Sequence, residues 1–148
     1  MIEDVQDAIE GVQEAVGVTG ETGTVKRTTT VRDTLNPSKV TTVTKTYSMR
    51  MYVNEPRSVY VADGVTVNRK AQLFVDWLSV VDTDTQQLVN NKATVLTNVA
   101  SNTWPVWAFE TKQGDVVTRA NGEVLTLLEN TGTNINGVTV MGLHELER

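Results

Sequence analysis

His144 is the only histidine of the 148-residue chain, and there is no cysteine. A His–His metal pair, a Cys-based zinc site, a thiolate nucleophile and a disulfide framework are thereby excluded. His144 falls in an alternating terminal segment, where it reads as an ordinary sheet residue. Asp82-Thr83-Asp84-Thr85 resembles a fragment of a calcium loop but lacks the glycine and distal glutamate that complete one, so it reads as a solvated turn. Gly20 and Gly23, like Gly132 and Gly137, have no Lys-Ser/Thr beside them and no strand-to-helix context for a phosphate loop. No pair of carboxylates is spaced as a glycosidase would need. The expectation is a protein without catalytic residues, metal or cofactor.

Two groups of side chains remain as candidate binding chemistry. Trp77, Trp104 and Trp107 are all the tryptophans of the chain; they could stack bases, anchor a subunit, or fill the core, and in a chain this poor in aromatics the core has first claim. Lys26, Arg27, Arg32, Lys39, Lys45 and Arg50 form a basic stretch opposed only by Asp33. That pattern reads as a solvated sheet face, or in a ring as a surface meeting acidic partners, including the acidic helix of a neighbour. Net charge is -5, and five of the 18 acids (Glu3, Asp4, Asp7, Glu10, Glu14) precede the first base at Lys26, leaving 13 acids against 13 bases. A body so balanced is not built to hold DNA by neutralising phosphates.

The elements that must position these groups follow from periodicity. Ile2, Val5, Ile9, Val12 and Val16 recur at three- and four-residue spacing and predict an amphipathic helix over 2–16, with the acids opposite. Gly17 should end it, and the Gly/Thr-rich run 19–24 reads as a flexible linker. Residues 1–23 are thus expected to be a helix and linker, and 24–148 a mainly β domain, a small antiparallel barrel or sandwich. Beyond Thr24, Val and Thr predominate, and branched side chains favour the pleated sheet. Strands are predicted at 25–32, 40–53, 58–61, 65–67, 72–81, 93–99, 106–111, 116–119, 123–129 and 138–146. Asp63-Gly64 and Asn121-Gly122 supply the strongest hairpin turns. In the strand over 40–53, Val43, Tyr47, Met49, Met51 and Val53 share one face, and its length suggests that it extends past its barrel. No apolar run approaches a membrane span, and the N-terminus is acidic where a secretion signal would be basic.

The Thr-rich strand from Thr24, the Asn36-Pro37 turn, a second Thr-rich strand to Arg50, and later Gly114-Asp115 and Gly122-Glu123 resemble, in that order, the head-closure or stopper proteins of long-tailed bacteriophages. The resemblance implies a small β-barrel that forms a ring, commonly of six subunits, between the portal-bound adaptor and the tail. It implies a structural virion protein of the neck, made in the host cytoplasm, that retains packaged DNA lying in its channel. The rival readings are another neck or tail ring protein (adaptor, tail terminator or tail tube) and an OB-like nucleic-acid-binding module. Under the stopper reading, the turn of Asp33, Thr34, Leu35, Asn36, Pro37, Ser38 and Lys39 is the candidate channel loop, its polar tip staying hydrated, with 54–57 the second candidate. Ile2, Val5, Ile9, Val12 and Val16, together with Tyr47, Met49 and Met51, are the candidate subunit interface.

Overall fold

The computed structural model describes residues 2–55, 58–61, 65–68, 70–132 and 134–147. The predicted helix forms and runs further, as α1, Ile2–Thr19. Val5, Ile9 and Val16 are buried on its inner side and belong to the same core as the strands. No linker follows: Gly20 alone separates α1 from β1, Glu21–Arg32. The Gly20 N–H donates to the carbonyl of Val16 at 2.8 Å, closing the helix. A Cβ at Gly20 would strike the carbonyl oxygens of Val16 and Met51. Glycine is needed here for close approach of backbones rather than for flexibility. The boundary drawn at residue 23 therefore passes through a strand.

β1 pairs antiparallel with β2, Val40–Asn54, from Glu21 opposite Met51 to Arg32 opposite Val40. With β5 (Gln72–Asp82), β7 (Val116–Thr118), β8 (Val124–Asn130) and β11 (Gly142–Glu147), the order is β11-β8-β7-β1-β2-β5. Pairing of β11 with β5 closes that order into a six-stranded antiparallel barrel, which leaves the body no free edge except where strands outrun their partners. β6 (Gln87–Leu88) pairs antiparallel with the end of β5, while β3 (Ser58–Val61) pairs with β4 (Val65–Asn68) and β9 (Asn134–Ile135) with β10 (Val138–Thr139). The Asp63-Gly64 turn lies outside the described residues.

One barrel corner is a bulge in β5. Ser48 faces Val81 and Arg50 faces Asp76, so β5 spends five residues where β2 spends two. The looped-out segment is sewn down locally: Arg50 N–H donates to Ser79 Oγ at 2.8 Å, the Ser79 hydroxyl to Asp76 O at 2.6 Å, and Leu78 N–H to Asp76 Oδ1 at 3.0 Å. This breaks the two-residue alternation of β5 and buries Asp76, Trp77 and Leu78 in succession.

Three expected strands take other forms. Residues 93–99 lie in a helix, α2, Lys92–Ala100, capped by Asn91, whose side chain accepts from Thr94 N–H. The cap and the inward spacing of Val95, Leu96 and Val99 outweigh the β propensity of its Thr and Val. Residues 106–111 form no strand because the Asn90 side chain replaces the ladder, donating to the carbonyls of Trp77 and Phe109 and accepting Phe109 N–H. The expected strand 138–146 is split, with Val140 and Met141 between β10 and β11.

Candidate functional site

The long hairpin divides at one rung. β1 is flanked by β7 only at Thr24, Val25 and Lys26, and β2 by β5 only from Tyr47 to Asn54. Beyond Arg27 and Lys45, which oppose each other, five further rungs (28–32 against 40–44) pair with nothing else. This ribbon projects roughly 17 Å from the barrel at ~3.4 Å per residue. All its residues are exposed on both faces. Thr28, Thr29, Thr30, Thr41, Thr42 and Thr44 line it, with Val31, Val40 and Val43 about half exposed.

The root of this arm is fixed from both strands. Arg27 donates from Nε and Nη2 to the two oxygens of Asp115, at 3.0 and 2.7 Å, and from Nη2 to the carbonyl of Glu110. Its guanidinium lies 4.4 Å from the Phe109 ring centroid, and Tyr47 packs on the other partner of that stack, 4.4 Å from the same ring. Opposite, Lys45 pairs with Asp82 at 2.7 Å; hydrogen bonding from the ammonium holds the Asp82 carboxyl below its usual range and raises Lys45. Thr83 donates both N–H and hydroxyl to the carbonyl of Thr46. Two like charges face each other at the rung, and each is neutralised by its own acid from the barrel.

The tip folds on itself. Leu35 N–H donates to Asp33 Oδ1 at 2.9 Å, the Ser38 hydroxyl to Asn36 Oδ1 at 2.7 Å, Lys39 N–H to Asn36 O at 2.9 Å and Asp33 N–H to Lys39 O at 3.0 Å. With its polar groups engaged in the turn, the tip presents Leu35, which is 95% exposed. Thr34, Asn36, Ser38 and Lys39 are exposed at the tip, as the hydrated turn requires, and Leu35 stands among them as one large exposed apolar side chain between Arg32 and Lys39.

The residues expected at a subunit interface are placed differently. Val5, Ile9, Val16, Met49 and Met51 are buried in this chain's own core, and Tyr47 packs against it. Val5, Ile9, Met49 and Met51 are thereby closed to a neighbour, while Val16 reaches the floor of a groove and Tyr47 is only partly covered. Val12 instead lines an open groove of about 470 Å³ with Ala8, Gly11, Ala15, Val16, Thr19, Tyr52, Phe74 and Met141. The side chain of Ile2 lies outside the described residues, as do Pro56 and Arg57 of the second loop candidate. This groove went unseen in the sequence; the small side chains at 8, 11 and 15, which keep α1 narrow where it leaves the sheet, were its signal.

The basic stretch is likewise partitioned. Arg27 and Lys45 serve the root, and Arg50 donates to Gly17 O, Gly20 O and Thr22 Oγ1 at the α1–β1 corner. Arg119, outside that stretch, gathers Glu21, Glu55 and Glu123, and its hydrogen bonding to Glu21 lowers that carboxyl. Lys26, Arg32 and Lys39 make no ion pair among the described residues.

His144 is fully buried. Its Nδ1 lies 2.7 Å from the carbonyl of Leu128, an acceptor only, so Nδ1 carries the proton and Nε2 accepts the Thr111 hydroxyl at 2.7 Å. Thr111 Oγ1 in turn accepts from Trp77 Nε1 at 3.0 Å. Gly142 makes room, since a Cβ there would collide with Thr111 Oγ1 and Trp77 Nε1. Burial lowers the histidine's pKa. The relay is a satisfied core network without access to a substrate. Trp77 and Trp107 meet edge to face, 5.2 Å between centroids, and both are buried; Trp104 alone is exposed. Tyr52 and Phe74 form a tilted pair, 6.1 Å between centroids, in the wall of the α1 groove, and none of the acidic or histidine side chains of the described residues cluster as a metal site. No helix is long and apolar enough to cross a membrane.

Compared with protein-family models, curated proteins and solved structures, the chain matches none.

Proposed function

We propose that this chain is a non-catalytic structural protein of a long-tailed bacteriophage neck, a ring-forming head-closure component that joins the head connector to the tail and retains packaged DNA. It acts as a homo-oligomer, six copies being common in the proteins it resembles, against adaptor or portal and tail proteins. It is made in the host cytoplasm and ends in the virion.

The observation that carries this reading is the arm. A barrel that closes on itself extends five rungs of two-stranded ribbon with no third strand beside them, and a two-stranded ribbon alone is marginal in water. An element of that kind makes sense where an assembly covers it. Charge supports retention by geometry instead of grip. The body beyond α1 is balanced, and much of its basic stretch is spent on the barrel's own acids and carbonyls. Few counterions are then released on DNA, and duplex affinity at physiological salt is expected to be weak, around ~10⁻⁴ M.

Electron microscopy of purified protein and of particles tests the reading. Closed rings at the head–tail junction, and filled heads that leak DNA when the protein is omitted, are expected. Normal retention and tail attachment without it, or micromolar duplex binding with a steep salt dependence, would refute it.

A further inference from the structure

Two surfaces of opposite character lack an internal partner. The arm tip carries one fully exposed apolar side chain and is basic: Leu35 is 95% exposed, between the cations Arg32 and Lys39, which make no ion pair among the described residues. The groove beside α1 is apolar and acidic-rimmed. Ala8, Val12, Ala15, Tyr52, Phe74 and Met141 wall its volume of about 470 Å³. Asp7 and Glu14 stand on the next helical row, in line with Gly11 and Val18, and a second open hollow on that side is lined by Glu14 and Val18. Both acids are exposed and make no ion pair among the described residues; on α1 only Glu10 does, with Lys92 at 2.7 Å.

We infer that the arm tip of one copy docks in the α1 groove of a second copy, Leu35 entering the apolar trough and Arg32 and Lys39 facing Asp7 and Glu14. This names the contact within the ring-forming reading and rests on it. Charge selects the occupant: the arm has one acid, Asp33, while α1 carries five acids and no base, so the surfaces attract each other, and α1 repels nucleic acid. Topology agrees. Each copy that has docked its arm still offers a free groove, and the contact is heterologous, which closes into a ring when the rotation permits. The tip then lies against a neighbour instead of in the channel.

The absence of native cysteine allows a clean test on the full-length chain. Copies carrying Leu35→Cys, mixed with copies carrying Ala15→Cys and oxidised, should form a disulfide-linked pair in high yield. Val124→Cys, exposed on β8, should not replace Leu35→Cys. In sedimentation, Leu35→Glu and Ala15→Arg should each weaken self-association roughly ten- to hundredfold, the effect of losing one buried leucine contact. Mixing those two variants restores one complementary contact and should stop at a pair. Equal cross-linking by Val124→Cys overturns the docking, and so does wild-type-like assembly of Leu35→Glu. Rings formed by both wild type and Leu35→Glu keep the ring reading and assign the groove to another segment of the neighbour. Wild-type chains that stay single at every concentration overturn both and leave the groove to a different partner. Should either charged variant misfold by circular dichroism, the cross-linking yields decide.

Discussion

The body and the arm of this protein use the same residue types under different rules. In the barrel, polar side chains are consumed inside: Asn90 holds the backbone of the 106–111 segment, Thr111 links Trp77 to His144, and Arg27 is matched to Asp115. In the arm, threonines line both faces, and one cross-strand contact between them, Thr28 Oγ1 to Thr44 Oγ1 at 3.3 Å, joins side chains. The barrel accounts for its own polar side chains, because each buried side-chain nitrogen or oxygen among the described residues finds a partner. The arm's valines and Leu35 are not covered by the barrel, and under the proposed ring their cover comes from a neighbouring copy.

The widest separation between the two regions should come from removing α1. Val5, Ile9 and Val16 each contribute about 1.5–3 kcal/mol of burial, comparable together with the whole stability of an ordinary domain. A chain lacking residues 1–19 should fail to show a cooperative urea transition. A stable barrel without the helix would break the claim that α1 belongs to the body. Next, Asn90→Ala should cost about 3 kcal/mol by urea denaturation, because it strands buried backbone groups at Trp77 and Phe109.

Acid should act on the body through His144. Its folded pKa is depressed below the ordinary 6.5, so the unfolded chain binds a proton that the native relay refuses. Stability is undiminished well above about 6.5 and falls progressively below that value, until pH reaches the depressed folded pKa. The urea midpoint should drop between pH 7.5 and 6.0, and His144→Gln should flatten that slope. Glu21 and Asp82, whose carboxyls are depressed, add the same sign of loss only below their ordinary values near 4.5 and 3.8.

The arm should respond weakly to the same measurements. Joining Arg27 to Lys45 through an Asn-Gly turn, which suits that opposed pair, should shift stability by under ~1 kcal/mol while abolishing self-association in sedimentation. Thr42→Ala, on the open face of the ribbon, should change the urea midpoint least, within about 0.5 kcal/mol. A large cost at Thr42 would place the arm in the body after all.

Much of this division was legible in the residues. Alternating Val and Thr gave the strands of the barrel, the three-four spacing gave α1, and the excess length of the second strand foretold a projection. Closure into a barrel required knowing that β11 reaches β5, a pairing between distant segments that no local pattern encodes. Residues 93–99 misled because Asn91 as a cap overrode β-branched propensity. The stripe on α1 was legible as apolar, but it left packing on its own core and packing on a neighbour both open, since sequence alone cannot say which sheet a helix covers. Leu35 was visible throughout; what was missing was the turn geometry that engages the polar groups around it and leaves the leucine facing solvent.

The rung at Arg27 and Lys45 has a mechanical meaning. Bound to Asp115 and Asp82 and stacked on Phe109, the two strands leave the barrel from a clamped base, so the ribbon behaves as a lever whose fulcrum is that rung. Over a reach of roughly 17 Å, a rotation of about 10° at the base sweeps the tip by ~3 Å, close to one residue of strand. Loosening the Arg27–Asp115 pair would, by that leverage, be magnified at Leu35.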